Sequence, residues 1–171
     1  DWHRDYSTGR RAPLRFYGSI DYRDEQQVGD AKYTWELNRH QFLVPWALHY
    51  AESGDEQDAA AIAQLLLSWI AANPRYVGIN WSSSLEIALR ILSWGIVFDL
   101  CGDSTILQGI RPMVERSVMQ QASYIRHTLS LYSSANNHLV GELVGLLAAG
   151  TFFPQAPGVR RNFLTGPGYR D

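Results

Sequence analysis

The sequence predicts an all-α fold assembled from antiparallel helical hairpins. Three observations carry this. Apolar residues recur three and four apart through most of residues 31–153. Capping residues and Asn-Pro or Gly stops punctuate those runs. The connections between them are short and polar, and no segment sustains the alternation of a half-buried strand. Short connections make consecutive helices antiparallel neighbours. The strings "LLLSWIAAN" and "LRILSWGIV" are similar at helix-pair spacing. Periodicity by itself admits a bundle, a solenoid or an α/α toroid.

Residues 1–30 are polar, turn-rich and aromatic, with "LRFYGSI" as one short strand. From Ala31, "KYTWELNRHQFLVPWALHYAE" reads as one helix carrying Trp35, Phe42, Trp46 and Tyr50, kinked or restarted at Pro45, which lacks a backbone donor. The next helix opens with a Ser53–Glu56 capping box, carries Ile62, Leu65, Leu66, Trp69 and Ile70 at helical intervals, and stops at Asn73-Pro74. "YVGINW" is a loop. A third helix starts with a Ser83–Glu86 capping box, buries a stripe of Leu85, Ala88, Leu89, Leu92 and Ile96, and ends at Gly102. A long fourth helix, with a break expected at Pro112, repeats Ile110, Val114, Val118, Ala122, Ile125 and Leu129. The fifth is "NNHLVGELVGLLAAG", capped by Asn136 and ended by Gly150. The expected division is therefore an irregular segment over 1–30, a helical unit over 31–153 and an irregular tail over 154–171.

Bulk properties exclude several classes. A length of 171 residues suits one domain with a real core. Net charge is −2, and fifteen Lys and Arg are scattered without a basic run, which argues against nucleic acid as a partner. No apolar stretch reaches the roughly 18 residues of a membrane span. The single cysteine, Cys101, rules out an intrachain disulfide and has no adjacent base, so a thiol nucleophile is not expected. The five His show no metal-ligand spacing, so no metal or cofactor is expected, and there is no phosphate loop or G-x-S-x-G turn. Neither terminus carries a clear boundary signal, and the expectation is a fragment of a longer chain. Six Trp and nine Tyr suit either a Trp-rich core or a sugar-binding cleft, where flat rings cover pyranose C–H faces.

Three polar concentrations stand at the starts of the first, third and fifth helices. They are Asp30 to His40 around Trp35; Asn80 and Trp81 followed by Glu86 and Arg90; and Asn136, Asn137, His138 and Glu142. Each has an ordinary reading. Glu86–Arg90 and His138–Glu142 are four apart and share a helix face, as surface pairs do, and Asn136–Asn137 suits a cap and turn. In an antiparallel stack, however, alternate helices start at the same end, so the three concentrations would meet there. Glu36, Glu86 and Glu142 could in principle supply the two carboxylates of a glycoside hydrolase.

The strings "DAKYTWELNRHQFLVPWA", "LSWIAANPRYVGINWSSSLEIALRILSW" and "NNHLVGE" occur in order and resemble the N-terminal helical domain of the heparinase II/III family of polysaccharide lyases, which includes alginate lyases. The likeness runs from about Trp2 to about Phe153. The resemblance implies an incomplete α/α toroid, a downstream β-sandwich domain, and β-elimination on uronic-acid polysaccharides such as glycosaminoglycans or alginate. It also implies a periplasmic or secreted location. It assigns Asn137 to the uronate carboxylate and His138 to proton transfer or donation. Arg39, Asn80 and Trp81 would contact sugar, with Glu86 and Arg90 shaping the wall. The family's catalytic Tyr and a further His lie outside this chain, so the fragment alone is expected to be inactive; Tyr124 and Tyr132 are read as packing residues. A non-catalytic glycan-binding domain and a toroid glycoside hydrolase are the alternatives.

Overall fold

The structure is a computed structural model that describes residues 1–132 and 136–156. Among these residues, all regular elements are helical. Seven α-helices are α1 (Glu25–Val28), α2 (Ala31–Asn38), α3 (Leu43–Ser53), α4 (Glu56–Ala72), α5 (Ser84–Leu100), α6 (Thr105–His127) and α7 (Asn137–Phe152). The expected strand "LRFYGSI" does not form. Its only facing backbone is the turn at 76–78, which supplies two bonds, Tyr17 N–H to Tyr76 O (3.0 Å) and Gly78 N–H to Arg15 O (2.9 Å). The chain then winds into a short 3-10 turn, Tyr17–Ser19. "YVGINW" likewise ends in a 3-10 turn, Ile79–Trp81.

The single helix expected over the "KYTWELNRHQFLVPWALHYAE" run is two helices, and the break is at His40 rather than Pro45. His40 adopts φ 59°, a left-handed conformation that ends a helix. Pro45 lies in the first turn of α3, where a missing N–H breaks no helical bond. Neither expected capping box forms. Ser53 belongs to the end of α3, and Asp55 caps α4 by accepting from Gln57 N–H at 2.9 Å. Ser83 occupies the N-cap of α5 without a side-chain bond, and Glu86 is bonded by Arg39 instead of reaching back to the cap. Asp30 caps α2 through Lys32 N–H. Helix α6 passes Pro112 unbroken over 23 residues. Helix α7 runs beyond Gly150 to Phe152, held by Phe152 against Gly95 and by the buried Phe153 ring 5.7 Å from Phe98.

Contacts fix the directions. Gly141 faces Leu85, Gly145 faces Ala88 and Phe152 covers Gly95, so α5 and α7 run parallel. His40, just ahead of α3, meets Trp94, and Ala47 O meets the Cys101 thiol at 3.9 Å, so α3 runs the same way as α5. Ser104, the cap of α6, bonds Glu56 at the start of α4, and both helices follow short turns from antiparallel partners. Thus α3, α5 and α7 form one layer, and α4 and α6 form a second layer running in the opposite direction. Helix α5 packs against α3, α6 and α7. Its burial therefore extends around the helix: Ile87, Arg90, Ile91, Trp94, Val97 and Phe98 are buried, whereas Leu85, Leu89, Leu92 and Ile96 of the expected stripe are half-buried. Trp69, Trp81 and Trp94 are fully buried, so half of the Trp content is core. Cys101 is also fully buried, and burial pushes its thiol up to about 11. The outer face of α7 exposes Val140, Leu143, Val144 and Leu147.

Close approach of α5 and α7 requires glycine at one position. A Cβ at Gly145 would stand 2.5 Å from the Ala88 Cβ and 2.6 Å from its Cα. Gly145→Ala should destabilise by about 1–3 kcal/mol through forced helix separation. Gly150→Ala, where nothing lies within 4 Å, should instead stabilise by about 0.5–1 kcal/mol. Chemical denaturation of both variants checks the opposite signs, and a neutral Gly145→Ala would refute the close contact.

Candidate functional site

The residues singled out in the sequence gather at the end of the molecule where α2 and α6 finish and α5 and α7 begin. Arg39, the C-terminal cap of α2, donates from Nε and a terminal nitrogen to both Glu86 carboxylate oxygens, at 2.5 and 3.1 Å. Ser84, at the start of α5, bonds Thr128 after α6 (2.8 Å). The Ser130 backbone N–H and hydroxyl both donate to Glu142, in the second turn of α7, at 2.8 Å. Since Gly141 abuts Leu85, the first turns of α5 and α7 lie side by side.

Within this end the candidates divide sharply. Asn136, Asn137 and His138 are exposed, and Asn136 takes the N-cap position without a side-chain cap bond. The Arg39 side chain is 26% accessible. Glu86, Arg90, Asn80, Trp81 and Glu142 are all buried. The pairs four apart therefore do not act as pairs: Glu86 engages Arg39 and Glu142 engages Ser130, while Arg90 and His138 have other surroundings. A hydrolase's two carboxylates need to be free to act on opposite sides of a sugar; Glu86 and Glu142 are both committed to hydrogen bonds, and Glu36 is exposed. Among the described residues no group of His, Cys, Asp and Glu is placed to hold a metal ion. Tyr124 packs on Tyr17, Tyr76 and Trp81, as expected of a packing residue, but Tyr132 is 93% exposed and packs on nothing comparable. Ser133–Ala135, part of the stretch leading to Asn136, and the tail beyond Ala156 lie outside the described residues.

Behind the exposed groups lies a buried polar network. The Arg90 guanidinium sits 4.1 Å over the Trp69 ring and donates to Gln121 Oε1 (2.8 Å), Asn38 O (3.1 Å) and Asn80 O (3.3 Å). Asn38 in turn donates to Trp2 O and Thr34 O and accepts from the Trp69 indole at 2.7 Å. Asn80 donates to Trp2 O and Asn73 Oδ1. Among the described residues no carboxylate forms an ion pair with Arg90. Burial draws it down to about 9, against the opposing charge of Glu86, so it stays a cation at neutral pH. The network holds the end of α2 and the 79–81 turn against α5, and so fixes where Arg39 emerges. In the sequence Asn38 stands out only as part of the polar run around Trp35, Trp69 as a stripe residue and Asn73 as a helix stop, while Gln121 is not singled out at all.

His40 is enclosed by Trp2, Phe42, Trp69 and Trp94, with ring centroids 5.0–5.8 Å away. The Trp94 indole donates to its Nδ1 at 2.8 Å, which requires the neutral ring. Burial, reinforced by Arg90, holds its pKa well below the ordinary value. His3, bonded to Ala72 O, is also lowered, chiefly by burial. Groups depressed in the folded state contribute stability that is fully present above the unfolded pKa near 6.5 and is lost as pH falls below it. Stability should therefore drop between pH 6.5 and 5, with a limiting slope of about 1.4 kcal/mol per unit for each such His. Exposed His49, raised by Asp58, works in the opposite direction. Urea midpoints across that range check this, and a midpoint that rises on acidification would refute it.

Comparison with known proteins decides the family. Residues 3–159 match the model of the heparinase II/III N-terminus. The chain belongs to the heparinase II/III family. Two curated relatives of this heparinase II/III chain are named heparin-sulfate lyase. One, from Bacteroides stercoris, is 27% identical over 168 residues, covering 86% of this chain and 25% of that protein. The other, from Bacteroides thetaiotaomicron, is 23% identical over 171 residues, covering 97% and 24%. The heparinase II/III chain thus spans about a quarter of the length of the curated relatives it matches. No solved structure matches it.

Proposed function

We propose that this chain is the N-terminal part of a polysaccharide lyase that cleaves uronic-acid-containing glycans by β-elimination. The glycans would be glycosaminoglycans of the heparin-sulfate type named for the relatives, in the periplasm or outside the cell. The observation that carries the reading is the exposure of Asn137 and His138 at the same end as the half-exposed Arg39, while the neighbouring polar groups are buried as supports. The α3/α5/α7 and α4/α6 layers suit an arc of an α/α toroid completed by further hairpins and a β-sandwich domain.

The chemistry demands removal of a proton beside a carboxylate, which is feasible only if the carboxylate charge is offset and the enolate is met by fixed donors. The Asn137 amide would hold the uronate carboxylate. His138 would take the proton or act as a second donor. Arg39, held by Glu86, would present cationic charge to the approaching polyanion. Asn80, Trp81, Glu86 and Arg90, being buried, would shape the wall from behind rather than touch sugar. By the family resemblance, the acid that protonates the leaving oxygen is a Tyr outside this chain. General acid catalysis typically contributes about 10²–10⁴-fold, so the 171-residue chain alone should show negligible turnover.

The test is ultraviolet absorbance of unsaturated uronate products on incubating heparan sulfate with the full-length protein and with this chain. A chromophore from the full-length protein alone supports the reading. Robust product from this chain would show a site complete here. Binding without any chromophore in either case would favour a non-catalytic glycan-binding domain.

A further inference from the structure

A second concave site lies one helical turn from Arg39, walled by Tyr22, Trp35, Arg23 and Lys32. The cavity is about 290 Å³ and is lined further by Glu25 and the Gly29–Ala31 backbone stretch. That is near the lower bound for small-molecule sites, roughly 300–1,000 Å³, room for about one sugar unit. The Tyr22 and Trp35 rings are 5.3 Å apart and inclined at 55°, and both are half-buried. Trp35 is fixed by its indole N–H, which donates to Ile79 O at 3.0 Å. Tyr22 has the Arg23 guanidinium 5.3 Å from its centroid.

The Gly29–Asp30 stretch of the lining is held by hydrogen bonds and close packing. Asp5 is fully buried. It accepts from the Asp30 backbone N–H (3.0 Å), the Ser7 N–H and hydroxyl, and the Thr8 hydroxyl. A side chain at Gly29, which has φ 74°, would collide with Asp5 and Thr8, so the backbone packs closely there. The Asp30 carboxylate is occupied in capping α2. Arg23 and Lys32 are exposed, and neither forms an ion pair among the described residues. The site thus combines two inclined aromatic faces, two available cations and one available carboxylate, Glu25. Inclined rings of this kind cover the apolar face of a pyranose, and the cations suit a carboxylate or sulfate substituent.

We propose that this cavity is a distal subsite for one anionic sugar unit of the glycan whose reacting part lies at Arg39 and Asn137. Trp35 and Arg39 are four residues apart on α2, so they share a face about 6 Å apart along the axis, a spacing that a single oligosaccharide bridges. The inference rests on the glycan reading above and adds a place on the chain that binds without reacting.

The test is a titration of the 171-residue chain with a heparin tetrasaccharide at 0.15 M salt, followed by ¹H–¹⁵N spectra. The Gly29 and Lys32 amides and the Trp35 indole should shift saturably. Arg23→Ala/Lys32→Ala should weaken that response about tenfold, as should a desulfated, carboxyl-reduced tetrasaccharide. Tyr22→Ala, which removes only a half-buried ring, should also weaken it while leaving the fold intact. Shifts confined to Arg39 and Asn137, or undiminished binding by the double variant, would overturn the subsite and leave the proposed reaction standing. Absence of any shift at residues 22–35 would overturn it too, whereas the reaction itself is judged separately by turnover of the full-length protein.

Discussion

Arg90→Ala should cost about 3–5 kcal/mol of stability. The substitution leaves Asn38 O, Asn80 O and Gln121 Oε1 without their donor in the interior and empties the space over the Trp69 ring. Against a total of about 5–15 kcal/mol for an ordinary domain, that is a fifth of the stability or more. For a chain of this size it corresponds to a fall in melting temperature of about 6–20 °C. Arg90→Lys should recover only part of the loss, because an ammonium cannot reproduce a planar fork that reaches three acceptors. A loss under about 1 kcal/mol for Arg90→Ala would show that water or a neighbour replaces the guanidinium and that the network does not hold the site in place.

Asn137→Ala in the full-length protein should lower turnover about 10²–10³-fold, or about 2.7–4 kcal/mol, with little change in melting temperature. The expectation follows from a donor whose bond strengthens as the enolate forms, and from the exposure of Asn137, which leaves few native contacts to lose. Asn136→Ala is the control. Its side chain makes no cap bond, so both stability and turnover should change little. His138→Ala should reduce turnover and alter its pH profile, since imidazole titrates near neutrality. An inactive Asn136→Ala beside an active Asn137→Ala would exchange the two roles and refute the assignment.

The helices were legible because their apolar period is set locally, and Asn73-Pro74 stops α4 where the sequence places it. Three of the departures involve tertiary contacts. At the break, the His40 Nδ1 accepts from the Trp94 indole, fifty-four residues away, a partner that no local pattern announces. The missing box at α5 reflects competition for Glu86, which a distant Arg39 wins over a nearby backbone N–H. Helix α7 outlasts Gly150 because two consecutive Phe residues find partners on α5. At the candidate site, residue types and order anticipated that the polar groups gather at one end of the molecule but could not separate surface from support. Glu86 and Arg90 share a face with an exposed-looking spacing, yet α5 is covered on several sides, and that covering is a property of the assembled layers rather than of α5.

The burial of Cys101 has a practical consequence. A chain with one thiol, wholly enclosed and shifted toward the neutral form, is silent to alkylating reagents while folded and reactive once opened. Its labelling rate under native conditions therefore reads the opening free energy of the α3–α5 junction, without an added probe. The same silence leaves a cysteine introduced at an exposed position such as Lys32 as the sole reactive handle, so a fluorophore can be placed beside the proposed subsite without first removing a native thiol.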